Sequence, residues 1–269
     1  MKLSSKIPTA TLLLLVLAAG CQTNKPAQSP PAFADAPKSP APPPAPAPVA
    51  APAQPAEEHA RILPPSVSAA PLPFQGEGWE ALLDGKTLKG WKEGPFAGHG
   101  EIEIESGAVI LNMGNPFTGI NYTNEFPTMN YEIAFDAMRI SGSDFFCGLT
   151  VPVDESFCSL IVGGWGGSLV GISSLNGMDA SENETSKFMA FDQKRWYRIR
   201  LRMTEGRIEG WIDEQKIIDV NTSEKKIALR PGEIELSKPF GLACWQTTAA
   251  IRELKMRRVD KPADKPKKY

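Results

Sequence analysis

Gly163-Gly164-Trp165-Gly166-Gly167 sets one indole among four glycines. Residues without a Cβ let the ring stand clear of the backbone, as stacking on a sugar requires; the same Trp also suits the plain task of filling the edge of a sheet. Downstream, Asp179-Ala180-Ser181-Glu182-Asn183-Glu184 gathers oxygen atoms of the kind calcium prefers. The run lacks the alternating spacing of a calcium loop, so a solvated polar turn accounts for it better. Nucleophilic and zinc chemistry have little to build on. The chain holds only two histidines, His59 and His99, and no Cys-x-x-Cys pair, so a catalytic triad or a His-rich zinc site would rest on His99 alone. Besides Cys21 there are Cys147, Cys158 and Cys244, an odd number. Cys147 and Cys158 flank a hairpin turn at Asp154-Glu155, but that turn pairs Cys158 with Val151 and leaves Cys147 out of disulfide register. Buried thiols are the expectation, with a Cys147–Cys158 bridge as the alternative.

The ends of the chain carry these groups but do not fold with them. Lys2 and Lys6 followed by the apolar run 12–19 read as an export signal too short to span a bilayer. It closes on Ala18-Ala19-Gly20-Cys21, which resembles a bacterial lipobox and makes Cys21 the expected lipidation site; a plain secretory signal is the alternative. Residues 1–21 are thus expected to be a signal peptide of lipoprotein type, anchoring the protein on the membrane of the bacterial cell envelope, facing the periplasm or the surface. Residues 22–75 hold sixteen of the 25 prolines among alanines and predict a disordered spacer, which at about 3.1 Å per residue reaches on the order of 150 Å when extended. The Lys-rich end, 260–269, reads as a solvated tail.

Residues 76–259 remain for one folded domain. Its periodicity is β. Arg195 to Met203 alternates strictly, with Tyr197, Ile199, Leu201 and Met203 on one face and Trp196, Arg198, Arg200 and Arg202 on the other. Similar alternation marks 101–105 and 131–136, and the remaining short runs recur at roughly 8 to 12 residue spacing with Gly, Asp and Asn between them. An all-β sandwich or jelly roll of antiparallel strands follows. The formal net charge of −2 gives no reason to expect nucleic acid as a partner.

The domain opens on Ala81 to Gly94, ALLDGKTLKGWKEG, in which Asp84-Gly85 is a turn pair and Leu83 and Trp91 can pin the segment to a sandwich. This stretch resembles the LFDGKTLDGWK opening of the 3-keto-disaccharide hydrolase family. GHGEIEIESGAVIL, NYEIAFDAMRISGSDFFCGLTV, RWYRIRLRMTEGRIEGWIDEQKIIDV and GLACWQTTAAIRELKMRRV resemble later segments of that family in the same order, and together they cover nearly all of 78–259. The resemblance implies a concanavalin A-like jelly roll and cleavage of glycosides oxidised at C3, by elimination across C1 and C2. A C3 ketone acidifies the C2 proton, so the reaction calls for a base, a stabiliser of the enolate oxygen and an acid for the leaving oxygen.

By that resemblance Asp136 is the expected base, Arg139 its charge partner, and Asp144 a catalytic or ligand-binding turn residue; a solvated strand pair and ordinary turn chemistry explain the same residues. Trp165, Trp245 and Gln246 are the expected sugar-binding residues. No cofactor is predicted, and a divalent ion, though possible, has no support in the sequence. The chain departs from the family pattern at Phe157 to Val162, where polar groups give way to apolar ones, and at Thr247-Thr248, where a His often stands. Those departures keep a second reading open, a carbohydrate-binding module on the same sandwich.

Overall fold

The computed structural model describes residues 73–259, so the expected signal peptide, Cys21, nearly all of the linker and the tail lie outside it. The strands run β1 (Glu80–Ala81), β2 (Trp91–Glu93), β3 (Ile102–Glu105), β4 (Ala108–Leu111), β5 (Phe117–Tyr122), β6 (Tyr131–Gly142), β7 (Cys147–Val153) and β8 (Ser156–Gly164). They continue with β9 (Leu169–Ser173), β10 (Lys187–Phe188), β11 (Tyr197–Thr204), β12 (Arg207–Ile212), β13 (Gln215–Asn221), β14 (Gly241–Trp245) and β15 (Thr247–Arg258). A 3-10 helix, Glu233–Ser237, lies between β13 and β14.

Two antiparallel sheets form the sandwich, as the alternation predicts. The first has the order β13-β12-β11-β6-β15-β4-β3 with β1 added on β15; the second has the order β10-β9-β8-β7-β14-β5-β2. Successive strands change sheets, β4 to β5, β6 to β7 and β14 to β15, which is the crossing pattern of a jelly roll. Between the sheets lies the core, with Tyr131, Ile133 and Phe135 of β6 and Ile199 and Leu201 of β11 facing Leu149, Leu160, Ile172 and Leu242 of the second sheet.

The opening turn is a latch. Asp84 Oδ1 accepts from the backbone N–H groups of Lys86 and Thr87 at 2.8 and 2.7 Å, and Oδ2 accepts from the Thr87 hydroxyl at 2.7 Å. These bonds, led by the Thr87 hydroxyl, pull its carboxyl pKa down to about 2. Behind the turn the Trp91 indole is buried, donates to the Leu82 carbonyl at 2.8 Å and packs 5.3 Å from the Phe240 ring. Packing begins earlier than expected, since Phe74, assigned to the linker, stacks against the guanidinium of Arg198 at 4.2 Å.

The hairpin β7–β8 pairs Val151 with Cys158 and Cys147 with Val162. Cys147, Cys158 and Cys244 are accordingly free and buried, and no bridge joins Cys147 to Cys158.

Candidate functional site

The outer face of the second sheet is built for covering. Gly171 and Gly241 point outward there, and a Cβ on either would meet backbone: the Ala180 carbonyl at 2.7 Å and the Ser237 carbonyl at 2.5 Å. Their bare surfaces let the loop around Asp179–Asn183 and the 3-10 helix lie directly on the strands. Between these two covers a cleft of about 380 Å³ stays open. Phe117, Phe145, Ile161 and Trp245 line it from below, with Phe117 edge-on to Trp245 at 4.6 Å.

Trp165 forms one wall. It sits in the β8–β9 turn at φ 49°, with Gly163, Gly166 and Gly167 also at positive φ, and its side chain leaves the residue 43% exposed. The indole is therefore not buried in the sheet edge. The turn is held from beneath by Arg139, whose Nη2 donates to the carbonyls of Asp144, Gly163 and Gly167 at 3.1, 3.1 and 2.9 Å. Burial pushes the Arg139 pKa down, with the nearby Asp144 charge opposing.

Asp144 stands beside Trp165. Its Oδ1 accepts from the Phe145 N–H at 2.7 Å and its Oδ2 from the Gly166 N–H at 3.1 Å. Each oxygen keeps a lone pair for a ligand, and the carboxylate lines the cleft. Opposite lies a second polar group: Asp179 accepts from the Ser173 hydroxyl, from the Ala180 N–H at 2.7 Å and from Arg230 Nη1 at 2.6 Å. Asp179 has a side chain only 15% exposed, whereas Arg230 is 58% exposed and lies 5.7 Å from the Trp165 ring. Glu233 completes the rim.

Of the residues expected from sequence, Asp144, Trp165 and Trp245 meet in this cleft, whereas Asp136, Arg139 and Gln246 do not line it. Asp136 belongs to the outer face of the other sheet, only 4% exposed, where Arg198 Nε donates to Oδ1 at 2.6 Å and Arg252 Nε to Oδ2 at 3.2 Å. Alternation along β6 dictates this, because Phe135 and Ala137 on either side of it face the core. A general base must be within reach of substrate, and this carboxylate is committed to two guanidiniums on the far side of the sandwich. Arg139 is 5% exposed, is not part of the cleft lining and spends Nη2 on three backbone carbonyls, so it supports the cleft from beneath. Gln246 is exposed at the β14–β15 turn, at φ 43°. The acidic loop is tied inward, with Asn183 Nδ2 donating to the carbonyls of Ile172 and Asp179 at 2.8 and 2.7 Å. Among the described residues no group of three or more His, Cys, Asp or Glu side chains is arranged to hold a metal ion.

Arg230, Glu233 and the Ser173–Asp179 pair escaped sequence reasoning. The one signal was the acidic run itself, and nothing local links residue 179 to residue 230.

An aromatic floor, a projecting indole and carboxylates beside an arginine thus share one face of a jelly-roll sandwich, in an open cleft of the kind that takes a small ligand. The chain belongs to the family of 3-keto-alpha-glucoside-1,2-lyase-like domains, whose pattern it matches over residues 78–257. No curated protein sequence matches the chain. Among solved structures, a Bacillus licheniformis beta-glucanase is similar at 8% identity, covering 69% of this chain and 100% of its own, with a TM-score of 0.46. The carbohydrate-binding module CBM66 from Bacillus subtilis is similar at 14% identity, covering 62% of this chain and 95% of its own, with a TM-score of 0.41. Both likenesses are distant.

Proposed function

We propose that the cleft cleaves glycosides bearing a ketone at C3, by elimination across C1 and C2. Membership of the family supports this reaction class, and the observation that carries the reading to these residues is the meeting of Asp144, Arg230 and two tryptophans in one open cleft. Trp165 and Trp245 hold the sugar ring. Asp144 removes the C2 proton and the C–H electrons pass into a C2=C3 enolate with the charge on the C3 oxygen; as the carbonyl re-forms, they become the C1=C2 bond and the C1–O bond breaks toward the leaving oxygen. Arg230, tethered by Asp179, faces the charge that develops on the C3 oxygen. Glu233 on the opposite rim delivers a proton to the departing alcohol. The products are that alcohol and a 3-keto-2-hydroxy-glucal, which water can then hydrate. The proposal asks for no cofactor, and it includes the tether: a lipid on Cys21 would hold the domain at the envelope membrane.

A second reading, a binding module, is favoured by one observation. On the outer face of β8 stand Phe157, Ser159 and Ile161, the last in the cleft floor, and none of them is an acid or a base. Turnover separates the two. With 3-keto-trehalose, Asp144→Asn and Arg230→Gln are each expected to lower kcat by about a hundredfold or more. Wild-type turnover by Asp144→Asn would remove Asp144 from the base role, and binding without turnover by the unaltered protein would leave the module.

A further inference from the structure

Phe188 is 75% exposed, the most exposed of the large apolar side chains among the described residues. It lies on β10, the outermost strand of the second sheet. Its face follows from register. Phe188 pairs with Leu169, and Leu169 pairs with Gly164, the residue before Trp165. Directly opposed residues share a face. Leu169 belongs to the outer cluster with Phe145 and Ile161, whereas Met189, the next residue after Phe188, packs toward the inner core. Phe188 therefore stands on the cleft face, two strands beyond the base of the Trp165 turn. At 4.7–4.9 Å between neighbouring strands, the Cα atoms of Gly164 and Phe188 are about 10 Å apart.

We infer that Phe188 is a second sugar-stacking position, so that the occupant is a glycoside of at least two rings, lying across the strands with its reacting ring in the cleft and its next ring over Phe188. This rests on the reading of the cleft as a sugar site. The occupant is argued from continuity: Phe188 extends the aromatic surface of Trp245 and Trp165 along one line on one face. An exposed flat apolar ring also matches a pyranose, whose C–H face stacks on an aromatic ring. Stacking there adds affinity for the second ring alone.

The test is a tryptophan-fluorescence titration of the full chain with methyl glucoside and with trehalose, neither of which carries the activating ketone. Turnover of 3-keto-trehalose is followed in parallel. Trehalose is expected to bind roughly three- to tenfold more tightly than methyl glucoside, the preference to vanish in Phe188→Ala, and Phe188→Tyr to restore it. A preference that survives Phe188→Ala, or a wild-type protein that binds both sugars alike or neither, overturns the inference. So does a change of mass in sedimentation on Phe188→Ala, because Phe188 would then be covered by a second copy of the chain. An intact preference without turnover of the keto-sugar fails the elimination reading and upholds the second stacking position.

Discussion

Arg139 reaches Asp144 through the backbone: its Nη2 donates to the Asp144 carbonyl oxygen at 3.1 Å, while the Asp144 carboxylate turns away into the cleft. The same Nη2 holds the carbonyls of Gly163 and Gly167, on either side of Trp165. One buried cation thus fixes both the proposed base and the proposed platform, and a Cβ at Gly163 would fall 2.4 Å from that nitrogen.

Arg139→Met is therefore expected to lose about 3 kcal/mol of stability, because three carbonyls lose a charged donor. It should also red-shift tryptophan emission as the Trp165 turn loosens. Urea denaturation followed by fluorescence measures both, and an unchanged midpoint would show that the carbonyls find other donors.

Asp136→Asn should weaken the fold and spare the chemistry. Removing the charge leaves Arg198 and Arg252 facing a neutral amide in a nearly buried position, at a cost of about 3 kcal/mol. A lowered melting temperature with unchanged turnover per folded molecule is the expected pair of results. Lost turnover at an unchanged melting temperature would put Asp136 back in the site.

Trp165→Ala touches no core, since the ring projects from its turn. Melting should shift by less than about 0.5 kcal/mol in stability, while sugar affinity falls roughly tenfold. Equal binding by the variant in a fluorescence-independent assay such as calorimetry would assign Trp165 to the sheet edge.

The three domain thiols should be silent. Burial raises the pKa of Cys158 and Cys244 to about 12 and that of Cys147 further still. At pH 8 the reactive thiolate is scarce in the folded protein and appears only on unfolding, where pKa values return to the ordinary range. Iodoacetamide labelling resolved by peptide mass should modify these cysteines in denaturant and not before; rapid labelling of the native protein would contradict their burial.

Much of the sandwich was legible because β-periodicity states which side chain faces inward. The alternation from Tyr197 to Met203 gave both faces of β11, and the turn at Asp154-Glu155 gave the register that separates Cys147 from Cys158. The exposure of Trp165 was legible from its glycines. Asp136 matches the family's acidic position, but the parity of β6 puts it on the far face, between the core-facing Phe135 and Ala137. Glu132 and Asp136 share the side of β6 that meets Arg198, Arg200 and Arg202, and their ion pairs follow from a β6–β11 register that no local pattern contains. Arg230 and Asp179 meet only because two loops lie on one sheet face, and loop positions have no period to read.

The central claim is that the ketone at C3 activates the substrate. The most direct measurement incubates the full chain with 3-keto-trehalose and, separately, with trehalose, following glucose release and the absorbance of the conjugated enone. Consumption of the keto-sugar alone, abolished by Asp144→Asn, is the predicted result. Cleavage of trehalose itself, or no cleavage of either while the keto-sugar still quenches tryptophan fluorescence, would contradict it.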